Sequence, residues 1–296
     1  MKNIIVLFLL PFLFYTALTQ DLQIDSTLTA LPDTVCYKLK FNAGDTLTYR
    51  IVSYDSVAID YGKPLLKTRF ERVMFVCDSV VDNKFFMSRT LMQYIAYESS
   101  GDIRNVERTE NPWVGRTVWF VIDSVGNRYA LGYDDSTKAA LSPGGAFQPH
   151  LLFPFQNSCM EVDKTWMSES LDELVENGLP LPLIKQSSLF RALPAIDTLD
   201  EHCNRLSYIK TAQGSYQVKS GPDTIRVTNI ITGYGVLDIS SDKHIPVHYL
   251  ATVEQKMTIS IGNNEPKPGW HYIASYYTLD NYKPGKKPKP EIKKRF

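Results

Sequence analysis

The chain is short of almost everything that marks a known catalyst. It has no G-x-S-x-G, no H-E-x-x-H, no G-x-x-x-x-G-K-[ST] and no D-x-[DN]-x-[DN]-G loop. The commonest serine hydrolases, zinc proteases, phosphate-binding loops and calcium loops are thereby excluded. Histidine is scarce, at five residues. His244 and His248 stand four apart at the start of an extended segment, where they would lie about 13 Å apart and could not share one ion. Adjacent acids such as Asp134-Asp135, Asp172-Glu173 and Asp200-Glu201 fall at turns and carry no cleft geometry. No catalytic, cofactor-binding or metal-ligating residue is assigned.

Cysteine is also sparse. Cys36, Cys77, Cys159 and Cys203 are widely spaced and make no C-x-x-C, which argues against zinc and thioredoxin-type sites. An even number in an exported chain predicts at least one disulfide, with all three pairings open. Net charge is absent overall, with 32 basic and 32 acidic residues. That balance hides an asymmetry: from Lys283 onward there are seven Lys/Arg against Glu291. Without that tail and Lys2, 24 basic residues face 31 acidic ones, so the body carries −7. Nucleic acid is therefore not an expected partner.

Long apolar runs are missing except at the start. Ile4 to Leu18 follows Lys2 and is broken by Pro11, with Ala17 and Thr19 before a cut near Gln20. This reads as a cleavable signal peptide over 1–19, shorter than the ~20 residues of a membrane span. The predicted localisation is secreted or periplasmic. A leader over 20–34, a β domain over 35–282 and a disordered basic tail over 283–296 complete the expected organisation.

What the sequence has is aromatic residues and period-two alternation. It holds 17 Tyr, 14 Phe and 4 Trp, side chains suited to a pleated surface. From Ile245 to Ile261, Val247, Tyr249, Ala251, Val253, Met257 and Ile259 share one face, with Gln255 as the single interruption. Ile225 to Ile239 repeats the pattern and places Gly233 and Gly235 on its inner face, where they are expected to bend the strand. Asp-Ser-Val steps at Asp55, Asp78 and Asp123 mark strand ends. Helix is limited to Asp134–Leu141 and a segment opened by Ser170 and Glu173. Arg69, Arg72 and Arg89, in otherwise apolar strands, are expected at the surface or rim. The predicted fold is all-β: one strongly curved antiparallel sheet with one or two short helices, a two-sheet sandwich being the alternative.

Four segments carry a family resemblance. They are Phe41-Asn-Ala-Gly-Asp45-Thr-Leu-Thr-Tyr49, Phe120-Val-Ile-Asp-Ser-Val-Gly-Asn127, Phe153-Pro154 followed by Asp163-Lys-Thr-Trp166, and Gly233-Tyr-Gly-Val-Leu-Asp238 leading to Ile245-Pro246. Together they resemble a family of secreted bacterial envelope domains similar to the half-barrel lipoprotein carriers of the LolA type. The resemblance implies a concave face plugged by helices or by the Pro143–Ser158 connection, and no catalytic residues. Phe147, Leu151, Leu152, Phe153 and Phe155 in that connection are the predicted ligand-lining residues. The expected function is a non-catalytic carrier of a lipid or acyl ligand, without cofactor. The alternative is an envelope assembly component, its partners an envelope protein or an anionic surface met through the basic tail.

Overall fold

In the computed structural model, residues 33–133, 149–172, 175–176, 179–180, 184–220 and 223–285 are described. The strands are β1 (Thr34–Cys36), β2 (Thr46–Ile59), β3 (Leu65–Val81), β4 (Lys84–Ser100), β5 (Ile103–Arg108), β6 (Thr117–Ile122), β7 (Arg128–Tyr133), β8 (Cys159–Glu161), β9 (Thr165–Asp172), β10 (Val175–Glu176), β11 (Leu179–Pro180), β12 (Ile184–Thr198), β13 (Glu201–Ser220), β14 (Asp223–Ser240), β15 (Pro246–Ile261) and β16 (Lys267–Lys283). Twelve of them form one antiparallel sheet in the order β7-β6-β4-β3-β2-β16-β15-β14-β13-β12-β9, with β5 beside β4. The sheet is not closed into a barrel, and the other strands described form only two-stranded sheets, β1–β8 and β10–β11. The central pair, β2 and β16, comes from opposite ends of the chain.

Turn chemistry sets the hairpins. Asp82 and Asn83 both adopt positive φ (50° and 58°) between β3 and β4, as a two-residue type I′ turn requires. Asp123 accepts from the backbone N–H groups of Val125 and Asn127, fixing the bend from β6 to β7. The paired glycines make no bulge. The β13–β14 register runs unbroken past them, from Cys203↔Ser240 to Ser220↔Asp223. A Cβ on Gly235 would lie 2.4 Å from the Tyr208 ring. Gly235 therefore leaves room for an aromatic ring.

No helix occurs among the described residues, which corrects the expectation of one or two. The segment opened by Ser170 is the end of β9, with Ser170 opposite Gln186 and Asp172 opposite Ile184. Pairing along an open edge supplies more backbone hydrogen bonds than one capped turn, so tertiary context overrides the local signal. The other helical expectation, Asp134–Leu141, lies outside the described residues, as do 1–32, Phe147 and 286–296.

Alternation sorts the side chains. Leu47, Tyr49 and Ile51 of β2 and Val73, Phe75 and Cys77 of β3 are buried on one face, here the inner face. Val247, Tyr249, Ala251 and Val253 of β15 share it. Two irregular stretches fill part of that face. Tyr37, Leu39 and Phe41, after β1, are at most 3% exposed. Leu151, Leu152 and Phe155 come from a strap before β8 and join the same apolar cluster. β1 pairs with β8, and Cys36 is bonded to Cys159 there. Cys77 and Cys203 remain buried thiols. The Phe155 N–H donates to the Val125 carbonyl at 3.0 Å, and its carbonyl accepts from Trp166 Nε1 at 2.7 Å. One strap residue thus touches both flanks of the sheet, which turn toward each other across it.

Candidate functional site

The inner face changes character along the strands. Around the strap it is aromatic. Phe153 is half-buried, its ring 5.1 Å from Tyr208, 5.5 Å from Tyr249 and 6.2 Å from Phe190. The buried phenols around the strap find partners. Tyr208 and Tyr249 share a 2.6 Å hydrogen bond, Tyr49 donates to the Pro246 carbonyl at 2.7 Å, and Tyr277 donates to the Pro149 carbonyl at 2.5 Å. Such pairing lets large rings stay buried without stranding a hydroxyl. Of the predicted lining residues, Leu151, Leu152 and Phe155 belong to the packed core. Only Phe153 keeps partial exposure, and Phe147 lies outside the described residues.

Further along the same face a polar stripe crosses five adjacent strands. Asn229 (β14), Gln255 (β15), His271 (β16), Asp55 (β2), and Arg69 and Glu71 (β3) share the inward parity of their strands. Arg69 is 1% exposed, which corrects its expected surface position. Asp55 and Glu71 flank it, and a guanidinium can be buried when carboxylates take up its donors. Arg69 Nε and Nη2 donate to the two Asp55 oxygens at 2.5 and 3.2 Å, and Nη1 donates to Glu71. Arg72, on the outer face, pairs with Asp280 at 3.0 Å.

Electrostatics follow from this packing. Burial alone would raise the Asp55 carboxyl, but His271, 3.7 Å away, and the hydrogen bonds and charge of Arg69 hold it below the ordinary carboxylate range. At Glu71 burial outweighs Arg69 and Arg89, so its carboxyl lies above that range. The Arg69 guanidinium is opposed by burial but held charged by Glu71 and Asp55. Burial pushes the Cys77 thiol up to about 12 and the Cys203 thiol to about 11. Neither is a thiolate nucleophile near neutral pH.

At the other end of the stripe, Gln255 Nε2 donates to Asn229 Oδ1 at 2.7 Å. Gln255 Oε1, Asn229 Nδ2 and Glu71 Oε2 have no hydrogen-bond partner among the described residues. The sequence reading missed this constellation, although Gln255 was the interruption in the β15 alternation. Asp55, Glu71 and Asn229 share the inward parity of Ile51, Val73 and Val227. No group of three or more His, Cys, Asp or Glu able to hold a metal occurs among the described residues.

No family model matches the chain, and no curated protein does. Among solved structures it is similar to an outer membrane channel from Pseudomonas putida F1, at 11% identity over 82% of this chain and 97% of that one, with a TM-score of 0.28. It is also similar to a loop-deletion mutant of OmpT, an outer membrane protein of Vibrio cholerae, at 9% identity over 80% of this chain and 100% of that one, with a TM-score of 0.22. At these TM-scores neither defines a shared fold.

Proposed function

We propose that the protein is a non-catalytic, secreted or periplasmic binding protein that carries an amphipathic, lipid-like ligand on the inner face of a half-barrel sheet. The observation that carries this reading is the seat of Phe153. This strap residue sits half-buried over a wall of Phe190, Tyr208 and Tyr249, the kind of apolar slot that accepts a chain once a side chain vacates it. The same strand that offers Tyr249 to the slot offers Gln255 to the polar stripe, six residues or about 20 Å further on. Apolar and polar ends of one ligand thus find matching ends of one face.

An environment-sensitive fatty-acid probe tests this. Saturable binding with micromolar affinity, about −8 kcal/mol, is expected. Phe153→Ala, which frees the slot, tightens it. Absence of saturable binding by both proteins refutes the carrier reading.

A second reading rests on the outer face. Tyr276, Val52, Phe70 and Ile95 stand in one row across β16, β2, β3 and β4. Of these, Tyr276, Phe70 and Ile95 are 40%, 43% and 39% exposed. A contiguous exposed apolar row fits an envelope assembly component that meets another protein. Loss of a co-purifying partner on Phe70→Ser, with probe binding unchanged, favours this reading.

A further inference from the structure

We propose that the Asn229–Gln255 end of the stripe is a recognition site for a secondary amide, so that the carried ligand is an amide-linked acyl chain; this rests on the carrier reading above. Asn229 and Gln255 are 1% and 2% exposed. Their side chains spend one donor and one acceptor on each other. What remains without any partner is the amino group of Asn229, Nδ2, with its two N–H donors, and the carbonyl oxygen of Gln255, Oε1. Exchanging the oxygen and nitrogen of both amides reverses the mutual bond and again leaves one amino group and one carbonyl oxygen without a partner, at exchanged positions. Both orientations that keep the mutual bond therefore leave one donor group and one acceptor.

A secondary amide offers the matching pair. Its carbonyl accepts from the free amino group, and its N–H donates to the free oxygen. An ester supplies only the acceptor and a free carboxylate only acceptors, so each leaves the buried oxygen unpaired, which is costly away from water. The surroundings select the rest of the ligand. Val253, Ile231 and Ala212 form a separate buried apolar cluster on the same face. Val253 lies one inward position from Gln255 toward the aromatic slot, and Ile231 stands directly opposite Gln255. An aliphatic chain attached to the amide would run along that surface. On the other side His271 is opposite Gln255, and beyond it lies the Asp55–Arg69–Glu71 group. A polar substituent on the amide nitrogen would face those side chains.

Chain-matched competitors provide the test. N-methyldodecanamide and methyl dodecanoate share nearly the same shape, and only the amide has an N–H. Each is titrated against the bound fatty-acid probe on the unaltered protein. The amide is expected to displace the probe at a concentration about tenfold or more below the ester, since a site built for a donor rejects the analogue lacking it. In Asn229→Leu/Gln255→Leu the ratio of the two displacement concentrations, in which any change of probe affinity cancels, is expected to fall to within about twofold, because removing both partners of a buried pair leaves nothing unsatisfied. Equal displacement by amide and ester on the unaltered protein, with the probe bound, overturns the amide assignment alone and gives the two atoms to bound water. A preference that survives the double substitution also overturns it. Absence of probe binding removes the carrier reading and this inference together.

Discussion

Replacing Arg69 by methionine tests the polar stripe where its energetics are steepest. The side chains of Arg69, Asp55 and Glu71 are 1%, 6% and 0% exposed, so water cannot take over when the guanidinium is removed. Asp55 then keeps only His271 beside it, and Glu71 only the charge of Arg89. Breaking a buried ion pair in this way costs about 3–5 kcal/mol. For a domain of this size that corresponds to a fall in Tm of roughly 6–20 °C, at about 2–4 °C per kcal/mol. The pH dependence gives the argument a second handle. The Asp55 carboxyl is depressed in the folded protein, so it contributes stability above its unfolded pKa and loses it as pH falls through the folded value. Glu71 is raised, so its contribution is fully present below its unfolded pKa and is lost as pH rises toward the folded value. Without Arg69 both carboxyls favour the neutral form. The cost of Arg69→Met is therefore greatest near pH 7 and shrinks as pH falls through the carboxylate range. Urea unfolding followed by circular dichroism at pH 7 and pH 4 measures it. A cost below about 1 kcal/mol at pH 7, or an equal cost at both values, would refute the reasoning.

Two further outcomes follow from register and covalent structure. Val253→Asp places a charge at a position 2% exposed and is expected to destabilise by several kcal/mol, whereas Thr252→Asp, on the opposite face, changes stability by less than about 1 kcal/mol; similar denaturation midpoints for the two variants contradict the facing of β15. Thiol titration of denatured, unreduced protein is expected to find Cys77 and Cys203 reactive and Cys36 and Cys159 not, and reduction to lower stability by about 2–4 kcal/mol; four reactive thiols before reduction contradict the Cys36–Cys159 bond.

Much of the strand architecture is written locally. Alternation from Val247 to Val253 fixes which face of β15 is buried, because neighbouring residues of a strand point to opposite sides. Asp82-Asn83 and Asp123-Ser-Val mark their bends, because these side chains tolerate or stabilise turn backbone without help from the rest of the fold. The same locality explains what it could not foresee. Ser170 and Glu173 carry a helix-start signal, but β12 offers an open edge 14 residues downstream, between Ser170 and Ile184. Gly235 reads locally as a bend, while the room it leaves for the Tyr208 ring depends on the neighbouring strand.

The sequence by itself determined an all-β chain, its inward and outward faces and many of its turns, since these depend on residues a few positions apart. Only the tertiary structure decided that Cys36 meets Cys159 across 123 residues and that Phe153 rests on Tyr208 and Tyr249. It alone set the break at Gln255 beside Asn229 and His271, and closed Asp55 and Glu71 around Arg69. Each of these pairings joins side chains from different strands or from the strap. Which strands are neighbours, and in what register, is fixed by the backbone ladder of the whole sheet, and no window of sequence contains that information.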